Sequence, residues 1–118
     1  MSTQKVKKMI LVMLEENENK FSDVKENGFI ENCFDFKYGG NRFQIRQYFA
    51  YDEEYEKTVA EYTLLVFPKA GGDVPYNTEH RDFWDKDSKA LFEALFIKVK
   101  GICFDVDSIF DDILGEED

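Results

Sequence analysis

The chain has 118 residues with 25 acidic and 15 basic side chains, a net charge of −10, and 43% apolar residues that include 12 Phe and 6 Tyr. That length suits one aromatic-rich core over residues 1–118 and is too short for two. The charge opposes binding to nucleic acid or to an anionic membrane and favours a basic partner, although acidity also keeps a chain soluble.

The charge is split along the chain. Residues 1–50 hold eight basic and seven acidic side chains, a sum of +1, and residues 51–118 hold seven and 18, a sum of −11.

Gln4 to about Asn19 spaces Val6, Met9, Ile10, Met13 and Leu14 as one helical stripe. Leu11 and Val12 fall partly off it, which predicts burial on two sides. Lysines followed by the apolar run Met9–Leu14 have the outline of a signal peptide, but the run is too short and Glu15-Glu16 follow. No stretch has the length of a membrane span. A cytoplasmic chain is expected, with Cys33 and Cys103 reduced. Ser22 is placed to cap a short turn ending at Gly28, with Phe21, Val24 and Phe29 closing that end of the core.

Two strands follow. Ile30, Asn32, Phe34, Phe36 and Tyr38 alternate with Glu31, Cys33, Asp35 and Lys37. Phe43, Ile45, Gln47, Phe49 and Tyr51 alternate with Arg42, Gln44, Arg46, Tyr48 and Ala50. A period of two is the signature of a half-buried strand. Gly39-Gly40 between them supplies the positive φ of a two-residue hairpin turn. The turn sets Phe36 opposite Phe43, Phe34 opposite Ile45 and Ile30 opposite Phe49, so turn chemistry and apolar pattern agree on one register.

Asp52-Glu53-Glu54-Tyr55-Glu56 makes an acidic connection to a third strand, Thr58–Phe67, ended by Pro68. Tyr62, Leu64 and Val66 occupy one face of that strand, and Val59, Leu65 and Phe67 the other, which predicts cover on both faces. Lys69–Glu79, with Gly71-Gly72 and Pro75, reads as a long irregular segment. Asp85 or Asp87 is placed to cap a helix over Ser88–Lys100. Its stripe is Leu91, Phe92, Leu95, Phe96 and Val99, with Lys98 and Lys100 at its C-terminal dipole and Gly101 as its end. A last helix over Val106–Leu114 groups Val106, Ile109, Phe110 and Ile113, and an acidic tail follows. The expected fold is α+β: an antiparallel three-stranded sheet, hairpin 30–51 plus strand 58–67, with the N-terminal and C-terminal helices packed on it in the order α-β-β-β-α-α.

The chemistry is sparse. His80 is the sole histidine, in Glu79-His80-Arg81-Asp82, and reads as a locally bonded loop residue rather than a general base. Asp105–Asp112 has the acids of a calcium loop without its turn glycine or final glutamate. Neither glycine pair matches a phosphate-binding pattern, and no second cysteine stands at zinc spacing. No catalytic residue, cofactor or metal is assigned, and an enzyme is not expected.

The order helix, three strands, helix is similar in topology to that of the double-stranded RNA-binding domain. At the start of the final helix that family carries a lysine cluster, where this chain has Asp85-Lys86-Asp87-Ser88-Lys89. Direct nucleic-acid binding is therefore not expected.

Two functions are left. The first is a small acidic binding or inhibitor protein that docks on a basic surface of a partner protein, such as a nuclease or nucleic-acid-binding protein. Phage-encoded defence inhibitors and immunity-type proteins have this composition. The contact residues would be Asp52, Glu53, Glu54 and Glu56 on the strand connection, with Asp107, Asp111 and Asp112 on the last helix. The second is a structural or assembly subunit, of a phage or another complex, that forms a homo-oligomer. For a partner indifferent to the acids and to salt, the alternative interface is the sheet face of Arg42, Arg46 and Tyr48.

Overall fold

The computed structural model describes residues 3–69, 75–79 and 87–116. Helix α1 spans Thr3–Glu15 and leads through a single 3-10 turn, Glu18–Lys20, into β1 (Phe21–Glu26). The strands β2 (Cys33–Tyr38), β3 (Asn41–Asp52), β4 (Lys57–Val66) and β5 (Tyr76–Glu79) follow, then α2 (Asp87–Cys103) and α3 (Val106–Glu116). The five strands pair in sequence order, each antiparallel to the next. The α+β class holds, but the sheet has five strands where three were expected. The two additions are β1 and β5.

Both additions have a physical reason for escaping the pattern. In β1 the pairing slips between Ser22 and Lys25, and Asp23 takes a left-handed φ of 49°. This β-bulge moves the inward residues from a spacing of two to a spacing of three, Phe21 and Val24, which imitates a helical turn. The expected Ser22-capped turn is thus a bulged edge strand. β5 is four residues long and buries one side chain, Thr78, whose hydroxyl donates to the Leu64 carbonyl at 3.0 Å. So short an edge strand carries almost no periodicity.

The hairpin turn conforms to expectation. Gly39 and Gly40 have φ of 57° and 78°, and Phe36 pairs with Phe43 and Phe34 with Ile45. Ile30 does not pair with Phe49. β2 begins only at Cys33, because Asn27 Oδ1 accepts the N–H groups of Phe29 and Ile30 and turns the chain away.

One sheet face carries the core: Phe34, Phe36, Phe43, Ile45, Tyr62 and Leu64 meet Phe92, Leu95, Phe96 and Val99 of α2. Helix α1 adds Val6, Ile10 and Met13 and packs chiefly on α2. Each such side chain contributes about 1.5–3 kcal/mol on burial. Leu11 and Val12 are exposed, so α1 is buried on one side and not on two.

Lys98 does not serve its own helix end. Its ammonium donates to the carbonyls of Met13, Leu14 and Glu16 at 2.8, 3.1 and 2.6 Å, closing the C-terminus of α1. Nor does Gly101 stop α2. The helix runs on to Cys103, and Asp105, at φ 51°, makes the break before α3.

Candidate protein-docking surface

β3 is twelve residues long and β2 only six, so β2 covers half of its neighbour. The last bond on that side runs from the Gln47 N–H to the Asn32 carbonyl at 2.9 Å. Beyond it, β3 pairs on the other side with β4 as far as Asp52–Lys57. Residues 48–52 and 57–61 therefore extend as a two-stranded ribbon past the end of β2.

In an antiparallel ladder the main-chain groups of alternate residues face the same neighbour. Asn41, Phe43, Ile45 and Gln47 face β2, so Phe49 and Tyr51 present their N–H and C=O on the same side. Among the described residues nothing there pairs with them. Their side chains lie on the core face but beyond the core, 60% and 63% exposed, across from Ala60 and Thr58.

The acidic turn closes this ribbon. Asp52 Oδ1 accepts the N–H groups of Glu54 and Tyr55 at 3.0 and 3.4 Å, an Asx turn that fixes the reversal. Glu56 takes φ of 50°, and Glu53, Glu54 and Glu56 are all exposed. Tyr55, 65% exposed, has the Lys57 ammonium 5.7 Å from its ring centre. Four carboxylates against one lysine thus surround three exposed aromatic rings.

The other acidic group sits on α3, a separate element. Asp111 and Asp112 are exposed there, and Asp107 belongs to the same helix. The expected apolar stripe does not pack: Ile109, Phe110, Ile113 and Leu114 are each more than half exposed. Phe104, just before α3, meets Phe34 edge-on at 5.8 Å and anchors the junction.

The sheet face opposite the helices holds Arg42, Arg46 and Tyr48, as expected from the register. Tyr62, on the other face with Leu64, is a core residue whose hydroxyl accepts from Gln47 Nε2 at 2.9 Å. Arg46 Nε donates to Gln44 Oε1 and Gln44 Nε2 to Asp35 Oδ1, both at 2.7 Å. Asn27 Nδ2 then donates to Asp35 Oδ2 at 3.2 Å. This chain ties down Arg46, while Arg42 lies over the Phe67 ring at 4.9 Å. A groove of about 530 Å³ runs between Arg42, Lys25 and Asp35. Lys37 on its rim pairs with Asp23 at 3.1 Å. Both signs of charge line it: Asp35 accepts from Gln44 and Asn27, and Lys25 and Arg42 add positive charge.

Cys33 and Cys103 are free thiols. Burial pushes the Cys33 thiol up in pKa, with Asp35 adding to the rise against the opposing pull of Arg46. Burial also raises Cys103. Neither has the depressed pKa of a nucleophile. Among the described residues no group of three or more His, Cys, Asp or Glu could hold a metal ion, and no described helix is long and apolar enough to cross a membrane. His80 and the expected cap Asp85 lie outside the described residues.

The sequence placed the acids of the turn and both arginines but missed Phe49, Tyr51 and Tyr55. Asn27-Gly28 is the signal that could have found them, because a turn there stops β2 before it can cover Phe49. Comparison with models of protein families, with curated proteins and with solved structures gives no match.

Proposed function

We propose that this chain is a non-catalytic binding protein that docks on a basic surface of a partner protein through the end of the β3–β4 ribbon. The observation that supports it is the exposure of Phe49, Tyr51 and Tyr55 beside Asp52, Glu53, Glu54 and Glu56. Aromatic anchors ringed by charge are the usual anatomy of a protein interface. The acids set the sign of the partner and steer the encounter, and the aromatics supply area to be removed from water. Small inhibitors and immunity-type proteins that occupy a basic, nucleic-acid-binding surface work in this way. Asp107, Asp111 and Asp112, with the exposed apolar residues of α3, form a second contact in the same reading.

The test is titration with a lysine-rich peptide at low and high salt. Replacing Glu53, Glu54 and Glu56 together by Gln, and keeping Asp52 for its turn bonds, should weaken binding by about tenfold at low salt, roughly 1.4 kcal/mol. The salt dependence should flatten with it. Binding that is equal in both proteins and at both salts contradicts the proposal.

A further inference from the structure

We infer that the partner binds by strand addition: an extended basic segment pairs with the free edge of β3 alongside residues 48–52. This rests on the docking reading above and states how the partner is held. Three observations carry it. The main-chain N–H and C=O of Phe49 and Tyr51 face outward from a regular strand whose inner neighbours make the same bonds to β2. An edge with unpaired groups is a template for another strand. Second, the side chains that an added strand would lie beside are the exposed Phe49 and Tyr51, which suit aliphatic residues in cross-strand contact. Third, the edge ends at the acidic turn, Asp52 to Glu56, so lysine or arginine on the added strand meets opposite charge.

The length of the edge favours a peptide segment over a second copy of this chain. Residues 48–52 span roughly 17 Å at about 3.4 Å per residue, and Asn32 occupies the next position, opposite Gln47. A second copy paired in register about Ala50 would bring its own Glu53 against Asn32. It would also join two chains of net charge −10. A short basic strand meets neither obstacle.

The experiment uses the full chain and two synthetic peptides of equal charge and length. One alternates lysine with valine and favours an extended strand. The other alternates lysine with glycine and reports charge alone. The first should bind at least about tenfold more tightly, and N-methylation of alternate residues along one of its edges should remove that advantage. On the protein, Tyr51→Ala removes the ring and keeps the N–H, whereas Tyr51→Pro removes the N–H as well. Because that N–H faces the free edge, proline there costs no ladder bond to β4. Tyr51→Pro should bind the lysine–valine peptide about tenfold more weakly than Tyr51→Ala, with an unchanged melting temperature.

Equal binding of both peptides, sensitive to salt and to the glutamate substitutions, overturns strand addition and leaves the docking reading standing. Absence of binding by either peptide overturns both, because main-chain pairing tolerates any extended sequence. Light scattering that shows a dimer in wild type and a monomer for Tyr51→Pro gives the edge to a second copy and overturns the peptide assignment.

Discussion

The inner and outer halves of the β3–β4 ladder have the same pattern and opposite fates. In the inner half, Phe43 pairs with Val66 and Ile45 with Leu64, between β2 and β5, under α2. In the outer half, Phe49 pairs with Ala60 and Tyr51 with Thr58 in an equally regular register, yet both rings stand in solvent. Alternation specifies which residues share a face. What covers that face depends on how far the neighbouring elements reach, and β2 stops at Cys33.

The largest contrast between the halves should appear on truncation. Ile45→Ala should cost about 2–5 kcal/mol in denaturant unfolding, as for other buried aliphatics. Phe49→Ala should stay within about 0.5 kcal/mol, as at most surface sites, and act on binding instead. Equal losses would show that the outer half is packed.

On the core side, Lys98 joins α2 to the end of α1. Lys98→Met should lose about 1.5–3 kcal/mol, because three carbonyls at the end of α1 lose a charged donor. Lys100→Met, at an exposed position two residues further along α2, is the control and should change little. The turn that sets the shared register comes next. Gly40→Ala should cost about 1–2 kcal/mol, the strain of a left-handed residue with a Cβ. A neutral result would mean that the turn relaxes without moving the strands.

Cys33 gives the smallest effect. Its thiol is buried and raised above the ordinary value of 9.0, so the folded state holds the proton more tightly than the unfolded chain. That contribution is complete below about pH 9 and is lost as pH rises through the folded value. Unfolding free energies should therefore fall above about pH 9 less steeply in Cys33→Ala than in wild type. Identical slopes would place the thiol in a water-like setting.

Much of this was legible in the sequence, and the exceptions share one cause. The hairpin register, β4, α2 and α3 all carry strong periodicity over many residues. β1 was hidden by the bulge at Asp23, and β5 by its shortness after Pro75. The expected pairing of Ile30 with Phe49 carried the alternation past a turn set by the Asn27 side chain. That same turn uncovers Phe49 and Tyr51, so the point where the pattern misled is also the candidate site. Arg42 and Arg46 were placed on the correct face, but their ties to Phe67 and Gln44 depend on geometry that no spacing reveals.

Amide hydrogen exchange along β3 reads the free edge itself, because Phe43, Ile45, Phe49 and Tyr51 point their N–H groups to the same side of one strand. Phe43 and Ile45 should exchange only through unfolding, while Phe49 and Tyr51 should exchange as freely as a loop. Saturating lysine–valine peptide should then give Phe49 and Tyr51 the protection they lack in the free protein, while Phe43 and Ile45, protected already, slow further only as binding stabilises the whole fold. Protection of Phe49 and Tyr51 in the free protein, or no gain of protection with peptide bound, would contradict strand addition at this edge.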